Sequence, residues 1–419
     1  MSARALRRAA GVQFVYASNA LGALAVGFAA GAAAMSTSSR LRAFNGAAAL
    51  ACTAAAAGMR ALAHDTAPPR ARDPELRTEP SLPTVDYSIV VPVYNRPHHV
   101  SNLLARLCEQ APSWRPLGSG EIVVVDDGSV DDTRAVAERL AAAMPLPTRV
   151  VSMPHAGPGA ARNAGFAAAR GGIGVSIDSD CLPDEDWLPG LLDEVRANPD
   201  TIAFARIRSE EKLAYPIENA PDRKGFVSAS FALERAAFCK LGGFYRGYGM
   251  SHEDLDFVEV ARAAGYRVVR AHSYVHHPLR AENAASIWRV GLNSKYANLF
   301  ALRHGARALG MTRTTPYYFF GVAGNYGSSI ALLVIVANVL AAAALARASE
   351  EFATHELRDA CLRFGALGAL YVVALCALGL RVGAGFKRLP HYVTTLASFQ
   401  LATLLGRVNG SLEYGFVLL

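Results

Sequence analysis

Two apolar runs each end in polar side chains: SIVVPVYN at Ser88–Asn95 and IVVVDDGS at Ile122–Ser129. The apolar positions of the second run are continuous rather than alternating, which is typical of strands that are covered on both faces. Further strands are predicted at Arg149–Val151 and Gly174–Ile177. Short strands of this kind indicate a sheet buried between layers of helices.

The segments between these strands are long enough to form helices. The sequence predicts helices at His98–Gln110, Asp131–Ala143 and Ala160–Arg170. Strands that alternate with helices indicate βαβ units and a mostly parallel α/β sheet. Ligands of such sheets bind at the carboxyl ends of the strands. The residues that follow each strand are therefore the candidate site residues.

The composition indicates a membrane protein with a water-soluble centre. The chain has 419 residues, of which 52% are hydrophobic and 18% are charged. A charged fraction of about 25% is ordinary for soluble proteins, and a disordered chain would have more charge and less apolar content. Five runs contain no Asp, Glu, Lys or Arg, and several approach the ~20 residues that span a bilayer. These runs are Ala9–Ser39, Ala43–Met59, Thr314–Ala346, Phe364–Leu380 and Leu389–Gly406.

Charge and proline content divide the chain into five parts. Residues 1–62 are predicted to form one or two membrane helices, and 63–84 are a proline-rich linker. Residues 85–285 form the α/β domain, 286–315 a juxtamembrane helical region, and 316–419 two or three further membrane helices. Basic residues flank these runs, which predicts a multi-pass protein of the cell membrane with a cytoplasmic α/β domain.

Net charge and cysteine spacing exclude two further classes. The net charge is +7, but no basic stripe is interleaved with aromatic residues, so the charge favours a membrane surface over nucleic acid. The six cysteines are scattered without a close pair. This spacing indicates free thiols in a reducing compartment and argues against a zinc site.

Polar residues at the ends of the first two strands are candidates for binding a flat, polar ring. Tyr94 can stack on such a ring, although a tyrosine in a turn can also cover the core. Asp126 and Asp127 can accept hydrogen bonds from a nucleobase or a ribose. Asp131 and Asp132 fit the simpler role of capping the helix that follows.

The fourth strand ends in the pattern Asp178-Ser179-Asp180. Two carboxylates this close repel each other unless a cation neutralises them, and hard divalent ions prefer oxygen ligands. An isolated Asp-x-Asp pattern is a weak signal. Its position directly after an apolar strand makes a metal site for a phosphate-bearing ligand the favoured interpretation.

Two later pairs of residues complete the candidate site. Glu253 and Asp254 precede a predicted helix, where a carboxylate either caps the helix or serves as a general base. His276 and His277 follow a predicted strand. A histidine at this position is a plausible metal ligand, although a turn histidine is the commoner outcome.

Together these features resemble an inverting glycosyltransferase of family two, which has the GT-A fold. The resemblance covers about Asp86 to Arg280 and rests on six motifs in order. The motifs are SIVVPVYN at Ser88–Asn95, VVDDGS at Val124–Ser129, GAARN at Gly159–Asn163, DSD at Asp178–Asp180, GGF at Gly242–Phe244 and ED at Glu253–Asp254.

The resemblance implies a role for each matching residue. Asp254 is the expected catalytic base, and Asp180 and His277 are the expected ligands of a Mg²⁺ or Mn²⁺ ion. The expected nucleotide-sugar-binding residues are Pro92, Tyr94, Asn95, Asp127, Arg162, Asp178 and Ser179. The fold class implied is an α/β GT-A domain flanked by transmembrane helices at both ends.

The resemblance also implies an activity. The expected reaction moves one sugar from a nucleotide-diphosphate sugar, preferably UDP-linked, to a hydroxyl of a lipid-linked or membrane-proximal glycan. A processive polysaccharide synthase is the alternative, but its Gln-x-x-Arg-Trp motif has no match at Ser286–Arg289, which reads SIWR. A catalytically silent membrane scaffold is disfavoured because Asp178, Asp180 and Asp254 are all present.

Overall fold

The structure is a computed structural model that describes residues 76, 82–208, 228–249, 251–277, 288–289, 291–304, 402–403, 405–406 and 409–410. Residues up to 277 belong to one compact unit, and those from 288 onward belong to a second. The predicted membrane runs lie outside the described residues, except for a few positions at the end of Leu389–Gly406. Among the described helices, none combines the length and the apolar character that crossing a bilayer requires.

Among the described residues of the first unit, eight strands form one sheet. They are β1 Val85–Val93, β2 Gly120–Asp126, β3 Thr148–Ser152, β4 Gly171–Ile177, β5 Leu182–Pro183, β6 Thr201–Arg208, β7 Ser230–Glu234 and β8 Arg267–His276. Their order across the sheet is β3-β2-β1-β4-β7-β6-β8-β5. Strands β1 to β4 run parallel, whereas β7 runs antiparallel to both of its neighbours.

The helices of this unit connect successive strands. They are α1 Pro97–Gln110, α2 Thr133–Ala141, α3 Pro158–Ala168, α4 Trp187–Ala197, α5 Arg235–Leu241 and α6 Glu253–Ala263, with a 3-10 helix at Ala111–Leu117. The prediction of a mostly parallel α/β sheet is confirmed for β1 to β4, and each predicted helix there begins or ends within two residues of its position in the structure. Strands β5, β6 and β7 and helices α4 and α5 were not predicted from the sequence.

The core lies on both faces of the sheet. Every residue of β2 is buried, as its continuous apolar sequence predicts. On one face, α1 and α4 pack against the strands, and on the other face lie α3, α5 and α6. A cluster of phenylalanines fills this second face, where the rings of Phe166 and Phe238 stack at 3.9 Å and those of Phe244 and Phe257 lie 4.8 Å apart. This packing fixes α6, and with it Glu253 and Asp254, against the sheet.

The second unit contains α7, Lys295–His304, in which Leu299 and Phe300 are buried. Two glycines of this unit allow close approach of backbone segments. A Cβ at Gly291 would lie 2.5 Å from the Cβ of Ala402, and a Cβ at Gly406 would lie 2.5 Å from the carbonyl oxygen of Leu292. A larger residue at either position would therefore force the two segments apart.

Candidate functional site

Asn95 joins the loops that follow β1 and β2. Its backbone N–H donates to Ser129 Oγ at 2.9 Å, and its side-chain Oδ1 accepts the N–H of Val130 at 2.9 Å. Asn95 has a φ of 49°, a conformation that asparagine adopts more readily than most residues. These contacts give Asn95 a structural role in the site, and its predicted contact with a nucleotide sugar stays a prediction.

Tyr94 presents an aromatic surface at the same edge of the sheet, directly after the buried residues Pro92 and Val93. It is 37% exposed, and its ring stacks on His155 with centroids 4.0 Å apart and planes inclined by 18°. His155 lies in the loop between β3 and α3 and was not predicted from the sequence. The only signal available was its position after a strand of the parallel sheet.

Asp127 organises the loop that carries His155. Its carboxylate accepts the N–H of Ala156 at 2.8 Å and that of Gly157 at 2.9 Å, and His155 Nδ1 lies 2.9 Å from Oδ2. Burial raises the pKa of Asp127, although the two N–H groups and His155 oppose that shift. The side chain predicted to hold a nucleobase therefore also shapes the loop beside Tyr94.

The GAARN and GGF motifs contact each other. Asn163 Nδ2 donates to the carbonyl oxygen of Phe244 at 2.8 Å, and the Phe244 N–H donates to Asn163 Oδ1 at 2.7 Å. Gly242 and Gly243 both have positive φ values, 81° and 60°, which residues with side chains rarely adopt. The two glycines thus turn the chain after α5 so that Phe244 reaches both Asn163 and the phenylalanine cluster.

Arg162 connects the end of β4 with the start of α6. Its Nη2 donates to Asp178 Oδ1 at 2.6 Å, and its Nη1 lies 3.7 Å from Glu253 Oε1. Desolvation lowers the pKa of Arg162, but Asp178 and Glu253 more than offset this effect and the pKa is raised. Desolvation also raises the pKa of Asp178, with Asp180 adding to that shift and Arg162 opposing it. One buried cation therefore holds two acidic segments together.

Arg162 has a further hydrogen-bond donor, its Nε–H group. Its side chain is 3% exposed, and its Nε has no hydrogen-bond partner among the described residues. A buried N–H group without a partner is costly, so such groups in a functional site are commonly satisfied by a ligand. This feature is compatible with the predicted role of Arg162 in nucleotide-sugar binding.

Asp180 and His277, the two predicted metal ligands, lie together in the structure. His277 Nε2 is 3.5 Å from Asp180 Oδ1, and both side chains are buried. Arg96, in the loop after β1, forms an ion pair with Asp180 Oδ2. Ser179 is buried in the same turn. The role of Asp180 and His277 as metal ligands stays a prediction, and Arg96 was not among the predicted site residues.

A cysteine adjoins the same pair. Potential ligand atoms of Asp180, Cys181 and His277 all lie within 4.8 Å of one another, and all three residues are buried. A carboxylate oxygen, an imidazole nitrogen and a thiolate sulfur are ligands that divalent transition-metal ions accept. The residues present at this position therefore fit a divalent metal ion.

Asp254 is the second residue of α6 and is half-buried. Its Oδ1 accepts the N–H of Leu255 at 2.8 Å, and its charge contributes to the raised pKa of Arg162. The N-cap position belongs to His252, which has a φ of 71° and makes no capping bond with its side chain. Asp254 thus lies close enough to the buried guanidinium of Arg162 for its charge to act on it.

Asp127 generates a prediction about stability and pH. The raised pKa means that the folded protein holds this proton more tightly than the unfolded chain, where the ordinary value is 3.8. The resulting stabilisation is complete below that value and is lost as the pH rises through the raised pKa. We therefore expect the free energy of unfolding of the wild type, relative to Asp127→Asn, to decrease from acid to neutral pH. Urea denaturation at a series of pH values, followed by the fluorescence of the buried Trp114 and Trp187, measures this difference.

Asp127→Ala is the matched control for that experiment. It removes the same titrating group and both hydrogen bonds from the loop backbone, whereas Asp127→Asn keeps an acceptor oxygen for one of them, so the overall stability of Asp127→Ala should be the lower. The two variants should nevertheless show the same dependence on pH relative to the wild type. A difference that stays constant or increases with pH would contradict the raised pKa.

Comparisons with known proteins find a family model and several relatives that match part of the first unit. Residues 88–252 match the family model described as Glycosyl transferase family 2. The relative named Glycosyltransferase AglD, from Haloferax volcanii, is 33% identical over 147 residues, which are 35% of this chain and 23% of that protein. The relative named Dodecaprenyl-phosphate galacturonate synthase, from Rhizobium johnstonii, is 24% identical over 284 residues, which are 63% of this chain and 79% of that protein.

A solved structure is also similar. It is the mannosyltransferase PcManGT from Pyrobaculum calidifontis, in complex with GDP-Man and Mn²⁺, at 20% identity and a TM-score of 0.49 over 82% of this chain and 91% of that chain. The match spans only 23% and 34% of the first two curated relatives. The motifs that the structure brings together all lie within or directly beside the matched segment. The similarity to the glycosyltransferase family 2 model is therefore a finding about residues 88–252, the segment that carries most of these motifs.

Proposed function

We propose that the chain is a metal-dependent, inverting glycosyltransferase that transfers one sugar from a nucleotide-diphosphate sugar to a lipid-linked acceptor. The observation that carries the proposal is the contact network around Arg162, which links the Asp-x-Asp motif to the start of α6. The charges of Asp178 and Asp254 both act on this buried cation. In this proposal, the groups that would hold a diphosphate and the group that would remove a proton belong to a single site.

Tyr94 and the loop behind it form the proposed nucleobase side of the site. The ring of Tyr94 offers a face for stacking, and its stack with His155 supports that face from the loop after β3. Asp127 holds the loop in place through two backbone N–H groups. We propose UDP as the nucleotide of the donor, and competition between UDP and GDP for binding tests this choice.

The proposed diphosphate side is centred on the Asp-x-Asp motif. Asp180 and His277 would hold a Mg²⁺ or Mn²⁺ ion, which supplies positive charge that stabilises the leaving nucleoside diphosphate. Arg162 fixes the position of Asp178 through a hydrogen bond of 2.6 Å. Arg96 reaches Asp180 from the loop after β1 and keeps a second positive charge at this edge of the sheet. Both arginines therefore orient acidic side chains and add charge complementary to a diphosphate.

Asp254 is the proposed general base. Its carboxylate would take the proton of an acceptor hydroxyl while the hydroxyl oxygen forms a bond to the anomeric carbon and the bond to the diphosphate oxygen breaks. A single displacement of this kind inverts the anomeric centre. Glu253, the neighbouring acidic residue, is buried against Arg162 and therefore serves to anchor the helix start.

The acceptor is proposed from the names of relatives. The relative from Rhizobium johnstonii is named for dodecaprenyl phosphate, and one from Pseudomonas syringae, 31% identical over 128 residues, is named Undecaprenyl-phosphate 4-deoxy-4-formamido-L-arabinose transferase. These names support a lipid-linked acceptor. They also favour a second candidate, in which the prenyl phosphate itself is the nucleophile. A phosphate monoester has a second pKa of about 6, so it is ionised at neutral pH and needs no general base.

We also propose that the chain is attached to the cell membrane through its apolar runs, with the family 2 domain in the cytoplasm. The support for this proposal is the sequence alone, because the runs lie outside the described residues. We expect the full chain to remain in the membrane fraction after washing with alkaline carbonate. Release of the protein into the wash would contradict attachment by spanning helices.

The role of Asp254 leads to a prediction about rate. We expect Asp254→Asn to slow transfer to a hydroxyl acceptor by about 10²–10⁴-fold, because the amide cannot accept the proton. The affinity for the nucleotide sugar should stay within about twofold, since the base contacts the acceptor rather than the donor. Turnover and equilibrium binding of the donor measure the two quantities separately. Glu259→Gln is the matched control, because it neutralises a carboxylate on the same helix that pairs with Arg262.

Three outcomes of that experiment are informative. Undiminished turnover with a sugar hydroxyl as acceptor would contradict the proposed base. Activity of Asp254→Asn that is retained with a prenyl phosphate but lost with a sugar hydroxyl would favour the second candidate. Formation of long polymer by the wild type would instead indicate a processive synthase, which sizing of the product distinguishes from single additions.

Tyr94 leads to a prediction about binding. Stacking of a base on an aromatic side chain contributes about 1–3 kcal/mol by alanine substitution. Tyr94→Ala should therefore raise the Kd of the nucleoside diphosphate by roughly five- to hundredfold. Tyr94→Phe keeps the ring and should bind within about threefold of the wild type. Equal weakening in both variants would show that the hydroxyl group, and not the ring face, carries the interaction.

A further inference from the structure

Cys181 is brought to the proposed metal site by the pairing of two strands. Strand β5 pairs antiparallel with β8, with Leu182 opposite His276 and Pro183 opposite Val275. Continuing the same register by one residue places Cys181 opposite His277. The Cys181 N–H also donates to the carbonyl oxygen of Asp178 at 2.9 Å, which closes the turn that contains Asp180. The register of β5 with β8 places Cys181 beside His277, and the turn at Asp178 places it beside Asp180.

We infer that Cys181 is a third protein ligand of this site and that it gives the site a preference for borderline-soft divalent ions over Mg²⁺. The inference rests on the metal site of the proposed function and extends it by naming the class of ion. Ligand atoms of Cys181, Asp180 and His277 lie within 4.8 Å of one another, so small side-chain movements would bring all three onto one ion. Sulfur and imidazole ligands suit Zn²⁺ and Co²⁺, whereas Mg²⁺ takes oxygen ligands in octahedral geometry.

A purely structural role for Cys181 is the competing explanation. The residue is fully buried and belongs to the apolar cluster on the face of the sheet covered by α1 and α4. A buried free cysteine commonly behaves as a small apolar side chain. Cys239 is the appropriate comparison, because it is 2% exposed and lies in the other apolar cluster. The group of three potential ligands found among the described residues includes Cys181 and not Cys239.

A thiolate ligand from Cys181 would alter the relative affinities of the site for different divalent ions. With only a carboxylate and an imidazole, Mg²⁺ and Mn²⁺ would be held mainly through oxygen and nitrogen. A thiolate adds a ligand that these ions use poorly and that Zn²⁺ and Co²⁺ use well. The site should therefore bind Co²⁺ and Zn²⁺ more tightly than Mg²⁺, by a margin that depends on Cys181.

Binding of Co²⁺ to the metal-free full chain tests the inference without any measurement of activity. Coordination by a thiolate gives Co²⁺ a sulfur-to-metal charge-transfer absorption in the near ultraviolet. We expect this absorption in the wild type and in Cys239→Ser, and we expect it to be absent in Cys181→Ser. The ratio of Co²⁺ affinity to Mg²⁺ affinity should fall by about tenfold or more in Cys181→Ser, whereas Cys239→Ser should keep the wild-type ratio.

A second variant separates the loss of a metal ligand from a loss of folding. Cys181→Ala keeps a small apolar side chain in the core, and tryptophan fluorescence shows whether either variant is folded. Loss of the charge-transfer absorption in a folded variant supports the inference. If the wild type binds Co²⁺ without this absorption and the affinity ratio is the same in Cys181→Ala, the inference is wrong while the proposed metal dependence stands. If the wild type binds neither Co²⁺ nor Mn²⁺, both the inference and the proposed metal dependence are overturned.

Discussion

The ion pairs of Arg162 are the interaction on which the site depends. The guanidinium is buried between Asp178, at the end of β4, and Glu253, at the start of α6. Removing one member of a buried ion pair typically costs about 3–5 kcal/mol, because the remaining charge has lost its partner. Two segments distant in sequence are therefore held in one arrangement by electrostatics as well as by the phenylalanine cluster beneath them. The position of Asp254 follows, since it is the next residue along α6.

Polar side chains in the loops at the carboxyl ends of the strands form hydrogen bonds within the protein, and these bonds also orient the aromatic rings of the site. Asn95 connects the loops after β1 and β2, and Asp127 fixes the loop after β3. These bonds are internal to the protein, yet they orient Tyr94 and His155, whose ring faces lie at the edge of the sheet. A side chain that orders a loop can thus be required for binding even where its own polar atoms are already engaged. Such a residue is expected to affect affinity through the position of its neighbours.

The sequence predicts the parallel half of the fold because each element there carries its own local signal. The continuous apolar run of β2 and the polar residues after β1, β2 and β4 all identify strand ends without reference to the rest of the chain. The antiparallel half carries no comparable signal. Strand β5 has only two residues, and its partner β8 lies far along the sequence, so the approach of Cys181 to His277 depends on long-range register. For the same reason, scattered cysteines indicated no metal site, and single loop residues such as Arg96 and His155 could not be assigned.

Negative charge exceeds positive charge around the Asp-x-Asp motif. Four carboxylates lie around two guanidinium groups in this region: those of Asp178, Asp180, Glu253 and Asp254 around Arg96 and Arg162. With all of them ionised, the group carries a surplus of two negative charges. Burial is the main cause of the raised pKa of Asp178, which Arg162 opposes and to which the charge of Asp180 adds. A divalent cation at Asp180 would remove that repulsion, so binding of the ion and ionisation of Asp178 should favour each other. The acidic motif and its two arginines therefore leave a negative charge that a cation at the proposed metal site would neutralise.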